Sequence, residues 1–108
     1  MRPALILAAA LLAAAPTHAA TLQQAEAQAR QGFPARAAEE YRAVLADPSL
    51  SDGERAAAHL GLGNALLRTG ARAEARQTLD AATRFPGTRS AALIGLGVLE
   101  GAEGRTGD

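Results

Sequence analysis

The sequence contains no cysteine, no tryptophan and no lysine, and only three aromatic residues, Phe33, Tyr41 and Phe85. Without cysteine there can be no disulfide staple, no thiolate metal site and no lipid attached through a cysteine thiol, so stability must come from packing. The charge is as spare as the chemistry. Eleven basic residues, all of them arginine, stand against eleven acidic ones. Such a balance offers no positive field to draw a phosphate backbone, and three aromatics are too few to form a base-stacking platform, so nucleic acid is not an expected partner. What remains is alanine, glycine and leucine in quantity. At 108 residues the length suits one modest soluble domain.

Residues Met1 to Ala19 read as a secretory signal. Arg2 gives the positive start, Ala4 to Ala15 form an apolar stretch, Pro16 breaks it, and Thr17-His18-Ala19 places small residues at the positions that flank a cleavage site. Twelve apolar residues are too few to cross a bilayer core, which takes about 20 in a helix. Cleavage after Ala19 is expected, leaving residues 20–108 periplasmic or secreted with no stable membrane insertion. An uncleaved anchor or an alanine-rich first helix is the alternative. The mature piece would carry ten arginines and eleven acids, a net charge of −1.

Self-similarity is the strongest signal. Ala57-Ala58-His59-Leu60-Gly61-Leu62-Gly63 recurs as Ala91-Ala92-Leu93-Ile94-Gly95-Leu96-Gly97, and Gly70 recurs as Gly104, each displaced by 34 residues. Separately, Gly32, Ala37, Tyr41, Val44 and Pro48 share their spacing with Gly70, Ala75, Leu79, Ala82 and Pro86. The two half-matches interlock into repeats at about 20–48, 56–88 and 90–108, the last incomplete.

Each half reads as a helix, and no alternating β pattern occurs. Ser51-Asp52-Gly53-Glu54 is a capping box opening a run to Thr69, which Gly70 ends. The next helix, about 72–84, carries Ala75, Leu79 and Ala82 on one stripe and stops at Phe85-Pro86-Gly87. Similar reasoning gives helices over about 22–31 and 34–46, with Pro34 in a first turn, and a final one over about 89–102. Helices joined by one or two residues must run antiparallel, and Gly63, Gly97, Ala37 and Ala75 are placed to let them approach closely.

Leu62-Gly63-Asn64-Ala65, followed by Gly70, Glu74-Ala75, Leu79, Ala82 and Pro86, resembles the tetratricopeptide repeat (TPR) family, whose exported members act as adaptors in bacterial envelope assembly. His59 departs from the pattern, standing where the family usually has a large aromatic. The resemblance implies an all-α, right-handed superhelical stack of antiparallel hairpins, about two and a half repeats long, with a concave groove lined by the first helix of each pair. It marks Leu22, Glu26, Arg30, Leu60, Asn64, Leu67, Arg68, Ile94 and Val98 as groove positions able to take a protein or peptide partner.

No catalytic, cofactor or metal site is expected. His59 is the one histidine of the mature piece and has no base or acid at a motif spacing, and a zinc site would need further histidine or cysteine. Asn64 alone of the family's carboxylate-clamping set is present, so that specificity is not expected. The last helix carries Leu93, Ile94, Leu96, Val98 and Leu99, too many apolar residues for one face, and repeat arrays normally end in a polar cap. An exposed edge at Leu96 and Leu99 is therefore expected, to be covered by self-association or a partner. Two functional readings stay open: a non-catalytic envelope scaffold, or a self-associating module or N-terminal fragment of a larger array whose other domain carries the activity.

Overall fold

The computed structural model describes residues 20–107, with side chains as far as Gly104, so the expected signal segment 1–19 lies outside the described residues. Among the described residues five helices follow one another, α1 (Leu22–Arg30), α2 (Pro34–Leu45), α3 (Asp52–Thr69), α4 (Arg72–Ala82) and α5 (Arg89–Gly107). No strand occurs among the described residues, which are all-α.

Helix starts follow side-chain chemistry. The Glu54 N–H donates to Ser51 Oγ at 3.1 Å and the Ser51 N–H donates to Glu54 Oε1 at 3.0 Å, the expected capping box of α3. Thr21 and Gln24 form a second such box at α1, at 3.1 Å in both directions. Its Thr-x-x-Gln signature stands in the sequence. Gly32 and Gly70 end α1 and α3 at φ of 89° and 87°, a backbone state that other residues adopt only with strain. Gly104 does not repeat this role, since α5 runs on through it to Gly107.

Packing is sequential. α3 lies at the centre with α2 and α4 as its most extensive neighbours, while α1 packs on α2 and α5 on α4; α1 and α5 also touch α3. Two glycines explain how α3 serves both sides. Residues two apart on a helix point about 200° apart, so Gly61 and Gly63 lie on opposite faces. A Cβ on Gly61 would sit 2.5 Å from Tyr41 Cε1 and Oη of α2, and one on Gly63 would sit 2.5 Å from Leu79 Cδ2 of α4. Neither position can carry a side chain without movement of the neighbour. Ala37 and Ala75, on the second helix of each pair, are fully buried as their spacing predicts.

Leu79 is wedged more tightly still. Its other methyl, Cδ1, lies 3.1 Å from where a Cβ on Gly95 of α5 would stand, so one buried leucine fills the seam between two glycines on two helices. Outside the core, Arg42 of α2 and Glu74 of α4 form a forked ion pair, with Nη2 2.8 Å from each carboxylate oxygen and Nε 3.2 Å from Oε2. Arg76 of α4 pairs with Glu103 of α5.

On α5 the structure corrects two expectations. Leu99 is 1% exposed and Leu96 is half-buried, so the apolar edge is not there. Ala92, Gly95 and Leu99 follow a spacing of three and four residues and form the stripe laid against the preceding helices, as Ala58, Gly61 and Ala65 do on α3. The exposed residues lie off that stripe: Leu93 at 54%, Ile94 at 69% and Val98 at 60%. Gly97, expected to mediate a close crossing, has nothing within 4 Å of its Cβ direction.

Candidate functional site

The residues expected to line a groove sit on α1, α3 and α5, and α3 joins the other two. Arg68 Nη1 donates at 3.2 Å to the carbonyl of Ala29 in the last turn of α1, an oxygen that also accepts from the Gly32 N–H at 3.2 Å and stands at the negative end of the helix dipole, where a cation is favoured. Four residues earlier on the same face, Asn64 is exposed, and its Oδ1 lies 3.5 Å from the Cβ direction of Gly95 on α5. One face of α3 thus reaches both flanking helices.

Beside Gly61 of α3 stands a residue that sequence reasoning missed as part of the site. Tyr41 comes from α2, and its ring tip passes beside Gly61, where only glycine leaves room. Burial raises its pKa, the negative charge of Glu26 raises it further, and Arg30 acts in the opposite sense. The phenol therefore stays protonated at neutral pH, in the field of two residues expected to line the groove. Its hydroxyl forms no hydrogen bond among the described residues and is not sealed from solvent. The sequence marks Tyr41 only as a spaced position on the second helix of its pair.

The remaining positions divide. Arg30, Ile94 and Val98 are exposed, while Glu26 and Leu60 are half-buried. Leu22 and Leu67 pack against the core cluster and contribute to folding more than to a free surface. Leu22 also lines a depression of about 340 Å³ with Val44, Leu50 and Glu54. Leu96 faces α4, lining a second depression of about 420 Å³ with Arg76, Gln77, Asp80 and Glu100.

His59 of α3 stacks on Phe85, with ring centroids 6.2 Å apart and planes inclined by 27°. Burial lowers its pKa, with the Arg55 charge acting in the same sense, so the neutral ring is favoured. Ser51 is engaged in the α3 cap with Glu54. Among the described residues no three His, Cys, Asp or Glu side chains gather as metal ligands, and no helix is long and apolar enough to cross a membrane. Compared with protein-family models, curated proteins and solved structures, the chain matches none.

Proposed function

We propose that the chain is a non-catalytic scaffold of TPR type that acts in the bacterial cell envelope and holds a peptide or helix of another protein along the surface of α1, α3 and α5. The single observation behind this reading is the way α3 spans its neighbours, with Arg68 bonded to α1 and Asn64 set against α5. Around that face stand Glu26, Arg30, the Tyr41 hydroxyl, Leu60, Ile94 and Val98, an array of donors, charges and apolar side chains suited to peptide recognition. The export part of the proposal rests on the Arg2, Ala4–Ala15 and Thr17–Ala19 pattern.

The test uses photo-crosslinking amino acids placed at Ile94, and as a control at Arg84, in cells expressing the chain. The reading predicts defined crosslinked partners from position 94 only, lost when Leu60→Glu or Asn64→Ala is added, with unchanged circular dichroism. Identical products from both positions, or products indifferent to Leu60→Glu and Asn64→Ala, would refute it. A second reading, favoured by the exposure of Leu93, Ile94 and Val98, is a self-associating module or one section of a larger array. Light scattering would then find dimers or larger species that Ile94→Glu dissolves.

A further inference from the structure

The charges of this chain balance overall, but they are not evenly mixed. Residues 27–38, which end α1 and begin α2, and residues 65–73, which end α3 and begin α4, contain four arginines and no acidic residue. The hydrogen bond from Arg68 to the Ala29 carbonyl, at 3.2 Å, sets the second of these turns beside the first. One end of the helix stack therefore gathers Arg30, Arg36 and Arg68, all exposed, with Arg72 opening α4 next to them. The opposite end mixes signs: Asp47, Asp52 and Glu54 stand around the start of α3, and Arg84 and Arg89 flank Phe85.

The positive charge of the first end is not neutralised among the described residues. Arg68 bonds a neutral carbonyl, and Arg30 and Arg36 form no ion pair. The nearest acids are Glu26, a turn before Arg30, Glu39 and Glu40 further along α2, and Glu74, which Arg42 already pairs. Between the arginines stands Phe33, 44% exposed, with the Arg36 guanidinium carbon 5.0 Å from its ring centroid. Its N–H donates to the Gln28 carbonyl at 3.0 Å, which fixes the backbone that carries the ring. Phe33 is the one aromatic among the exposed large apolar residues, the others being Leu93, Ile94 and Val98 of α5.

We infer that the end of the stack formed by Arg30, Phe33, Arg36 and Arg68 is a docking surface for an anionic phospholipid bilayer. Guanidinium groups donate in forked pairs to phosphate oxygens, and basic side chains near an anionic bilayer are drawn to it. Exposed arginines that no ion pair holds can follow headgroups that move, whereas an acidic protein would offer carboxylates at fixed places. The ring among them leaves water for the boundary between headgroups and acyl chains, where apolar side chains flanked by cations settle. The contact is peripheral, since no helix of the described residues is long and apolar enough to cross a membrane. It does not depend on what the face of α1, α3 and α5 holds.

The sequence contains no tryptophan, so Phe33→Trp places a single fluorescent reporter at this end. In the full chain, vesicles of phosphatidylglycerol and phosphatidylcholine in equal amounts should shift its emission to the blue and open it to quenching by acyl-brominated lipid. Vesicles of phosphatidylcholine alone should not, nor should the mixed vesicles at about 1 M salt, where charges are screened beyond about 3 Å. Arg30→Gln and Arg36→Gln should each raise the lipid concentration at half-response about fivefold, with unchanged circular dichroism. Arg84→Trp, at the other end, should stay silent. α1 begins at that other end, so attachment through residues 1–19 would favour position 84 over position 33. The inference is overturned by no response at position 33, by an equal response on phosphatidylcholine vesicles, by one that survives both arginine substitutions, or by one as large at position 84. A response to soluble polyglutamate without one to vesicles would also overturn it, assigning the surface to an acidic protein.

Discussion

The same substitution at two positions 34 residues apart, Gly63→Ala and Gly97→Ala, is predicted to have opposite effects. Both glycines lie inside helices, where alanine is favoured by about 1 kcal/mol through backbone entropy alone. At Gly63 the new methyl would stand 2.5 Å from Leu79 Cδ2, and Leu79 is fully buried between α3 and α5, with no open solvent side to turn into. Overpacking of this kind costs about 1–3 kcal/mol, and the confinement of Leu79 argues for the upper half of that range. Net destabilisation of about 1–2 kcal/mol should follow. At Gly97 nothing opposes the methyl, so the gain of up to about 1 kcal/mol is kept. The two variants should differ by about 2–3 kcal/mol in urea unfolding followed by far-UV circular dichroism. For a domain of this size that is roughly 10 °C or more in melting temperature. Shifts of the same sign and size would refute the reasoning, because they would mean that Gly63 is no closer to its neighbours than Gly97.

Other consequences are smaller in scale. Ser51→Ala should cost about 1 kcal/mol through loss of the α3 cap, measured by the urea midpoint at neutral pH. Glu54 has its pKa lowered by the Ser51 N–H and then by the Ser51 hydroxyl, so the unfolded chain takes up its proton first. Its contribution is therefore present above pH 4.5 and lost as pH falls through the depressed folded value; a midpoint series against pH should be flatter in Glu54→Gln. His59 follows the same sign for a different reason: burial favours the neutral ring, so stability linked to it is complete above pH 6.5 and declines as pH falls through the lower folded value. His59→Gln should remove that slope. Arg42 and Glu74 are each about half exposed, and a double-mutant cycle should give a coupling of about 1 kcal/mol or less that shrinks in high salt. Tyr41→Phe should leave stability within about 0.5 kcal/mol in urea unfolding, since among the described residues the hydroxyl has no hydrogen-bond partner to lose.

Much of the fold was legible because helix boundaries here depend on local chemistry. Ser51 and Glu54, Pro34, Gly32 and Gly70 mark ends that the chain obeys within a residue or two. The all-helical class follows from the same local rules. The faces of α5 were less legible. Its apolar residues are spread around the helix, so periodicity alone could not say that Leu99 would turn inward and Ile94 outward. The answer lay in the repeat: Leu99 is the counterpart of Ala65, on the packed side of α3, and Gly97 the counterpart of Gly63. Gly104 misled for a related reason. It shares a register with Gly70, but the turn at Gly70 is also held by the Ala71 N–H bonded back to Leu66, and glycine without such support can remain helical. Tyr41 was visible only as a spaced position on a second helix. Its place beneath Gly61, in the field of Glu26 and Arg30, depends on how α1 and α3 flank it, which spacing along the chain does not encode.

The arrangement from which the rest follows is a helix served by two glycines on opposite faces, with one leucine shared between successive helices. Proton–proton contacts measured by NMR on a chain labelled at leucine methyls, glycine and tyrosine would test it most directly. Contacts are expected from Leu79 methyls to the α-protons of both Gly63 and Gly95, from the Tyr41 ring to Gly61, and none from another helix to Gly97. Leu79 methyls that reach only one of the two glycines, or a Tyr41 ring remote from Gly61, would contradict it.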